Sequence, residues 1–335
     1  MIIVTGGAGF IGSNIVKAFN DRGRKDILIV DHLGKGMKFK NLLGLEFDQM
    51  QSKEDFFAAL DNKEEAEQLI DFNIQAVIHM GACSDTMEYD GDYMWQNNYE
   101  FSLALLDFCV FNNIPLIYAS SASTYGLGKK GFREEPECEE ALNLYAFSKL
   151  MFDRKVREYF KDNFFTDIIG LRFFNVYGPQ ESHKGKMASI FYQMYNQLKS
   201  TGKIKLFKGT DGVADGEQRR DFIYVNDVVK ICLLFFDHCK DRACNGALNG
   251  IYNCGTGLAH SYNEVAHAVI KAVGHGEIEY IDFPDVLRGK YQNYTQADVS
   301  SLNIVKGYDG VFTDLDDAVK DYVALLDKNG GYYCN

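Results

Sequence analysis

Short apolar runs alternate with amphipathic segments through the first half of the chain. Apolar runs that predict strands occupy residues 2–4, 27–30, 76–79, 115–119 and 167–172. Helical periodicity is found at residues 15–19, 54–70, 94–112 and 145–159. Because strand and helix patterns alternate at this length, the sequence predicts an α/β fold, a Rossmann-type doubly wound parallel sheet with ligands at the carboxyl ends of its strands.

The regular alternation stops near Phe174, where glycine-rich loops, aromatic segments and short helical patterns take over. The chain has only four prolines and no flexible linker, so we expect two interleaved parts. Residues 1–174, with roughly 220–248 returning, are expected to form the dinucleotide-binding domain. Residues 175–219 and roughly 249–335 are expected to form a smaller α+β substrate domain.

A glycine-rich turn joins the first predicted strand to the first predicted helix. Gly6 and Gly7 permit a tight turn, Gly9 lets the backbone approach a pyrophosphate, and Gly12 lets the helix pack closely. Asp31 follows the second apolar run, about twenty residues after the last glycine. This spacing is typical of a dinucleotide-binding unit, in which the helix N-terminus faces the phosphates.

Composition narrows the function classes further. The 335 residues are 46% hydrophobic and carry a net charge of −12, which argues against nucleic acid or an anionic membrane as a partner. No apolar run approaches the length of a membrane helix, and Met1 opens directly into the first strand, so we expect a cytoplasmic protein. The eight cysteines form no CxxC pair, and Cys109 and Cys232 are expected to be buried. The seven histidines form no HExxH motif, so no metal site is predicted.

Tyr145 and Lys149 are four residues apart on a predicted helix, and therefore share one face. A free tyrosine is a poor base at neutral pH, but a neighbouring ammonium favours its phenolate, so we expect Lys149 to lower the pKa of Tyr145. Ser121 ends the preceding strand and can donate a hydrogen bond to a substrate oxygen. With the glycine-rich turn, these residues predict a site for hydride and proton transfer.

Several longer motifs accompany this site. They are TGGAGFIG at residues 5–12, GACS at 81–84, NNY at 97–99, SSASTYG at 120–126, YAFSK at 145–149, RFFNVYGP at 172–179, HKG at 183–185, MAS at 187–189, RDF at 220–222, YQ at 291–292 and TQAD at 295–298. Together they resemble the extended short-chain dehydrogenases/reductases of the NAD-dependent epimerase/dehydratase family, and most closely the ADP-L-glycero-D-manno-heptose 6-epimerases. The resemblance runs almost end to end, and the HKG and YQ…TQAD elements are its most specific parts.

The resemblance implies an isomerase that oxidises C6 of ADP-heptose to a ketone and reduces it again on the other face, supplying heptose for lipopolysaccharide. It implies one tightly bound NADP per subunit and a homo-oligomer, a pentamer in that family. Tyr145 and Lys184 are then the two acid/base residues on opposite sides of the carbon, with Lys149 and Ser121 beside Tyr145. The implied cofactor contacts are Gly6, Gly9, Phe10, Ile11, Gly12, Asp31, His32, Lys38, Lys53, Met80, Gly81, Ala82, Cys83, Ser84, Asn97, Lys149, Val176 and Lys184. The implied substrate contacts are Asn175, Lys186, Gln193, Phe207, Lys208, Gly209, Thr210, Arg220 and Tyr291.

The residues themselves leave some of these points open. Asp31 alone favours NAD, since a carboxylate accepts from the ribose 2′-hydroxyl and repels a 2′-phosphate. Lys35 and Lys38 follow closely and can neutralise that phosphate, so the resemblance favours NADP while NAD stays an alternative. Lys186 stands where the family usually has serine and Gln193 where it has histidine, and the loop at 211–218 is longer than in some members.

Three alternatives share the fold. A nucleotide-sugar 4,6-dehydratase needs an acid and a base after the residue equivalent to Ser121, and Ala122 and Ser123 cannot serve. A UDP-hexose 4-epimerase has similar chemistry but gives no reason for the HKG element. A non-catalytic NADP-sensing regulator predicts loss of Tyr145 or Lys149, and both residues are present.

Overall fold

A seven-stranded parallel sheet forms the centre of the larger part of the molecule. The computed structural model describes residues 1–70, 72–161, 166–210, 212–240, 246–285 and 291–334. The strands of the sheet are β1 (Ile2–Thr5), β2 (Ile27–Val30), β3 (Gln49–Gln51), β4 (Ala76–His79), β5 (Leu116–Ser121), β6 (Ile168–Phe173) and β10 (Gly250–Cys254). Residues of β1, β2 and β4 are buried throughout, as continuous apolar strands of a two-sided parallel sheet should be.

The order of the strands is β10-β6-β5-β4-β1-β2-β3, with every neighbouring pair parallel. The chain runs outward from β1 to β3 and then returns to place β4 on the other side of β1. The connections therefore diverge at the carboxyl ends of β1 and β4, which leaves a crevice there. The predicted doubly wound parallel sheet is confirmed.

Helices cover both faces of this sheet. They are α1 (Phe10–Asp21), α2 (Lys53–Asp61), α3 (Lys63–Ile70), α4 (Gly91–Met94), α5 (Phe101–Phe111), α6 (Leu144–Lys161) and α8 (Val225–Cys239). On one face α1 packs against α8, with Phe19 and Phe236 edge to face at 4.9 Å between ring centroids. On the other face α5 and α6 bury side chains such as Leu105 and Phe152. Cys109 and Cys232 are fully buried, as expected, and Cys244 lies outside the described residues.

The smaller part has its own core beside the carboxyl edge of the main sheet. It contains β7 (Asn175–Tyr177), β8 (Lys203–Phe207), β9 (Arg219–Tyr224), β11 (Ala259–Ser261), β12 (Glu277–Ile281), α7 (Ile190–Thr201), α9 (Tyr262–Val273) and α11 (Leu315–Asn329). Helix α10 (Ser300–Asn303) instead packs against β10, and its Leu302 joins the core of the main sheet. Strand β9 lies between β11 and β7, and β8 pairs with β12. Apolar side chains of α7, α9 and α11 pack together with these strands.

Two predicted helices differ from the observed ones. The segment 54–70 is two helices, because Asn62 has extended dihedral angles and its side-chain oxygen accepts from the Glu64 amide. The segment 94–112 begins earlier, at α4, and contains a π-helix over Trp95–Glu100 before α5. Apolar periodicity did not reveal either change, since both preserve the buried face.

The domain boundaries expected near residues 220 and 249 differ from the observed pairing of the strands. Strand β10 pairs with β6 in the main sheet, although the boundary expected near residue 249 placed it with the smaller domain. Strand β9 pairs with β7 and β11, although residue 220 was expected to begin the returning segment. We therefore propose that the returning segment starts at α8 and ends after Cys254, and that α10 packs back onto the main sheet a second time.

In the part of the chain that the structure describes, no helix is both long and apolar enough to cross a membrane.

Candidate active site

The glycine-rich turn lies at the carboxyl end of β1 and opens onto the N-terminus of α1. Gly6 has φ +67°, and a Cβ there would lie 2.7 Å from the Gly81 nitrogen. A Cβ on Gly12 would lie 2.2 Å from the Gly6 carbonyl oxygen, so this position also requires glycine. The free N–H groups at the start of α1 favour an anionic ligand.

Asp31 follows β2 beside this turn and is 5% exposed. Its carboxylate accepts from the Ala8 amide at 2.9 Å and from the His32 amide at 2.7 Å. The Lys38 ammonium lies 2.5 Å from the same carboxylate. Of the two lysines considered for a 2′-phosphate, Lys38 lines the adjoining cavity, whereas Lys35 is exposed and does not.

A cavity of about 790 Å³ extends from this turn along the carboxyl ends of the strands. The residues that line it extend from the end of β2 to the smaller part of the molecule. Most of the expected site residues line it, namely Gly6, Gly9, Phe10, Ile11, Gly12, Asp31, His32, Lys38, Lys53, Met80, Gly81, Ala82, Cys83, Ser84, Asn97, Ser121, Tyr145, Lys149, Asn175, Val176 and Lys184. The glycine cradle, the helix N-terminus and the acid after β2 together fit a nicotinamide dinucleotide.

Tyr145 and Lys149 project from the first turns of α6 into this cavity. Burial raises the pKa of Tyr145, and a hydrogen bond with Ser121 partly opposes that rise. The Lys149 ammonium donates to the Ala119 carbonyl at 2.8 Å, and burial lowers its pKa to about 8. In the protein alone the pKa of Tyr145 is therefore raised rather than lowered as expected, because desolvation outweighs the opposing contact at the phenol.

A network of buried charged side chains holds α6 in place. Arg172 of β6 is fully buried and pairs with Asp153 at 2.8 Å and with Glu139 at 2.5 Å. Asp153 lies one turn after Lys149 on α6 and also accepts from the Ser120 hydroxyl at 2.8 Å. The network thus fixes α6 against the strand end that carries Ser121.

Lys184 reaches the same cavity from a 3-10 helix, Ser182–Met187, that belongs to the smaller part. Its ammonium lies 5.8 Å from the centroid of the Phe10 ring. Burial lowers the pKa of Lys184, and the Glu181 carboxylate opposes that change. Glu181 is 1% exposed and accepts from the Ser189 hydroxyl at 2.7 Å. Two groups able to exchange a proton, Tyr145 and Lys184, therefore line one cavity from different domains.

A second cluster lies next to the cavity and contains three expected substrate contacts. The Arg220 guanidinium lies over the rings of Tyr291, at 5.0 Å, and Tyr262, at 5.9 Å. Phe207 packs edge to face with Tyr291 at 6.4 Å between centroids. Tyr262 also lines the main cavity, so the cluster and the cavity are contiguous.

The TQAD motif holds this cluster in place. Asp221, fully buried, accepts from the Ala297, Thr256 and Gly257 amides at 2.8–2.9 Å. Its own amide donates to the Thr295 hydroxyl at 3.1 Å. Since Asp221 follows Arg220 directly, these hydrogen bonds fix the position of the arginine.

Other expected substrate contacts lie outside the cavity. Lys186 is exposed, and Lys208 pairs with Asp282 at 2.7 Å on the surface. Gly209 and Thr210 continue that loop, whose residue 211 lies outside the described residues. The Gln193 amide donates to the Gly185 carbonyl at 2.7 Å, so in this structure Gln193 holds the turn that follows Lys184.

Some cavity residues were not identified from the sequence as site residues. Tyr93, Glu181, His183, Phe222 and Tyr262 all line the cavity. The HKG motif signalled His183 without giving it a role, and aromatic residues of the smaller part carried no distinctive spacing. Among the described residues, no three His, Cys, Asp or Glu side chains are grouped to hold a metal ion.

Comparison with known proteins agrees with this geometry. A model of the NAD dependent epimerase/dehydratase family matches residues 2–255. An ADP-L-glycero-D-manno-heptose-6-epimerase of Alkalilimnicola ehrlichii is 49% identical over 323 residues, 96% of each chain. One of Brachyspira hyodysenteriae is 48% identical over 334 residues, 99% of each chain. The crystal structure of the Helicobacter pylori enzyme of that name superposes with a TM-score of 0.80 at 30% identity, covering 97% of this chain and 96% of that one.

Proposed function

The chain belongs to the NAD dependent epimerase/dehydratase family, and on that premise we propose that it is an ADP-L-glycero-D-manno-heptose-6-epimerase. The observation that carries the proposal is near-50% identity, over almost the whole chain, to relatives of that name. The two proton-exchanging groups in one cavity support it, because inversion through a ketone needs proton transfer in two substrate poses. The product would supply heptose for lipopolysaccharide, and we place the enzyme in the cytoplasm.

The proposal is tested by incubating the purified protein with ADP-D-glycero-D-manno-heptose and reading the C6 configuration by NMR. We expect an equilibrium mixture of the two C6 epimers without added cofactor. Turnover of UDP-glucose to UDP-galactose, with no change at C6 of the heptose, would instead favour the UDP-hexose 4-epimerase alternative. Cofactor binding without turnover of either sugar would favour a regulator.

In the proposed reaction Tyr145 and Lys184 serve opposite faces of C6. A nicotinamide dinucleotide held by the glycine-rich turn, Asp31 and Lys38 would supply the hydride chemistry at C6. Tyr145, assisted by Ser121, takes the C6 hydroxyl proton in one pose, and Lys184 donates a proton to the ketone oxygen when it is reduced in the other pose. Arg220 suits the diphosphate of the substrate because its forked donors match phosphate oxygens.

An analogue with an aldehyde at C6 separates the two faces. Reduction with deuterium-labelled cofactor marks one prochiral position of C6 for each pose, and NMR distinguishes the two. Tyr145→Phe should lose one labelled product and Lys184→Met the other, each by about 10²–10⁴-fold. Lys320→Met, which changes an exposed lysine of α11, is the control. Equal loss of both products in both variants would refute the two-base assignment.

NADP is the proposed cofactor, one held tightly per subunit, with Lys38 neutralising the 2′-phosphate. Lys38 supports this because it lines the cavity and already contacts Asp31. Mass spectrometry of the cofactor released from purified protein checks the choice. Lys38→Gln should shift the bound cofactor from NADP toward NAD; recovery of NAD from the unmodified protein would show that the preference is for NAD.

We also propose that the protein is a homo-oligomer, with five subunits as the resemblance implies. Supporting observations are exposed apolar side chains on α5 and α6 and in the segment before α6: Phe111 is 88%, Phe147 44% and Leu142 50% exposed. Light scattering coupled to size-exclusion chromatography gives the mass directly. A single subunit of 37.9 kDa at micromolar concentration would contradict the proposal.

A further inference from the structure

His183 precedes Lys184 in the HKG motif, and its ring lies between two parts of the active site. It lines the cavity, and the polar contacts that the described residues give the ring are both at Nδ1. Unprotonated, Nδ1 accepts from the Asn41 amide nitrogen at 3.1 Å; protonated, it donates to the Gln180 carbonyl oxygen at 3.0 Å, so the neutral ring makes one of these bonds at a time. The Asn41 bond belongs to the tautomer that carries its proton on Nε2. Burial lowers the pKa of His183 to about 4, so the ring is neutral at neutral pH.

Asn41 connects this histidine to the cofactor side. The side chain is fully buried, and its amide nitrogen also donates to the carbonyl oxygen of Ala8 in the glycine-rich turn, at 3.0 Å. Its backbone carbonyl accepts from the Gln180 side chain at 2.9 Å. Asn41 lies in the 3-10 helix Lys38–Leu42, which also carries Lys38. A continuous hydrogen-bonded path therefore runs from the cofactor turn through Asn41 to the segment that presents Lys184.

The backbone before Lys184 needs such support. Gln180 has φ +75°, a left-handed conformation that is costly for a residue other than glycine, and Gly185 after the lysine has φ +54°. The unfavourable conformation of Gln180 persists only where neighbouring contacts hold it, whereas Gly185 adopts its positive φ without that cost. Gln193 holds the far side through the Gly185 carbonyl, and the Asn41–His183 pair holds the near side.

From this arrangement we propose that His183 is a positioning residue that, through Nδ1 and Asn41, couples the glycine-rich cofactor turn to Lys184. The inference rests on the proposed function, because it assigns His183 to one of the two proton-transfer faces. It assigns no contact between His183 and the substrate or the cofactor. Its consequence is selective: displacement of Lys184 should impair one face of C6 and leave the Tyr145 face working.

Three substitutions separate this role from direct contact with a ligand. His183→Asn keeps a polar group at the position of Nδ1, His183→Gln places one near the position of Nε2, and His183→Leu removes both. With the C6-aldehyde analogue, we expect the His183→Leu and His183→Gln variants to form about 10²-fold less of the Lys184-dependent labelled product. A displacement of a catalytic group by about 1 Å can lower the rate by that factor. The Asn variant should retain most of it, and all three should keep the Tyr145-dependent product.

Two controls keep the outcome decisive. Each variant is checked for bound cofactor and thermal unfolding, and Asn41→Ala should remove the difference between the Asn and Gln variants. If His183→Gln retained the Lys184-dependent product and His183→Asn lost it, the proposal would be overturned in favour of a direct contact by Nε2. If the variants lost both labelled products equally, the proposal would also be overturned, because His183 would have only a structural role. If Lys184→Met itself shows no face selectivity, the two-base assignment fails instead, which is a distinguishable result.

Discussion

Lys149 is a cation kept beside Tyr145 in a site that disfavours charge. Its ammonium has one carbonyl partner, Ala119, and the nearby Asp153 carboxylate opposes the desolvation that lowers its pKa to about 8. The phenol of Tyr145 becomes a useful base only when its environment favours the phenolate. We infer that, in the ligand-bound site, Lys149 provides that environment only while it is protonated.

The pH dependence of the reaction should report this lysine. Lys149 carries its charge below a pKa of about 8 and loses it as the pH rises, so kcat/KM should fall above about pH 8. Lys149→Arg keeps the charge at all working pH values and should move the alkaline limb upward, at a lower overall rate. A pH–rate profile of both proteins checks this. An alkaline limb at the same pH in the variant would assign it to another group.

The junction between β6 and α6 should depend strongly on its buried charges. Asp153→Ala leaves the buried Arg172 guanidinium with Glu139 as its remaining carboxylate, and breaking such a pair costs about 3–5 kcal/mol. Urea unfolding measures the loss. Asp237→Ala, which breaks a half-exposed pair with Arg22, should cost only about 0–1 kcal/mol. Similar values for the two variants would mean that the buried network contributes little.

The turn between β1 and α1 should not tolerate a side chain at Gly12. Gly12→Ala places a Cβ 2.2 Å from the Gly6 carbonyl oxygen, so the turn must open and the protein should purify without its cofactor. In α4, Gly91→Ala has its nearest neighbour at 3.9 Å, so cofactor content should not change. Absorbance and mass spectrometry of the denatured proteins quantify the cofactor. Full occupancy in the Gly12 variant would show that the turn tolerates a methyl group.

At the scale of elements, sequence patterns located most of the main sheet because its strands are continuous apolar runs. The strand at Ala76–His79 agrees with its prediction residue for residue. Periodicity missed the break at Asn62 and the π-helix at Trp95–Glu100, since these depend on local hydrogen bonds and leave the apolar face intact. It also missed the place of β10, because membership of a sheet is set by tertiary packing rather than by local composition.

The candidate site shows the same division. Tyr145, Lys149 and the glycines were placed by spacing within one element, and Lys184 by resemblance. Asn41 contacts His183, which lies 142 residues later in the chain. Gln193 contacts the carbonyl of Gly185, eight residues earlier. Only the folded chain reveals these contacts. The same reason explains why the pKa of Tyr145 shifted against expectation: burial is a property of the assembled cavity.

Across the whole molecule, the cavity joins the two parts, with Tyr145 on one side and Lys184 on the other. A ligand bound there stabilises both, by about 2.7 kcal/mol at a concentration 100 times its Kd. Protein stripped of cofactor should therefore unfold at a lower temperature, and reloading should restore the value. Calorimetry of stripped and reloaded protein checks this. Identical unfolding curves would contradict a cofactor site built from both parts.

The position of β10 has a consequence for the synthesis of the protein. Its partner β6 ends about 80 residues earlier in the chain. At about 5–20 residues per second, a ribosome needs on the order of 4–16 s to make that stretch. Throughout this interval the outer edge of β6 has unpaired backbone groups and can recruit a strand from another nascent chain. Slow translation between the two strands should therefore lower the yield of correctly folded protein, and chaperones that cover this edge should restore it.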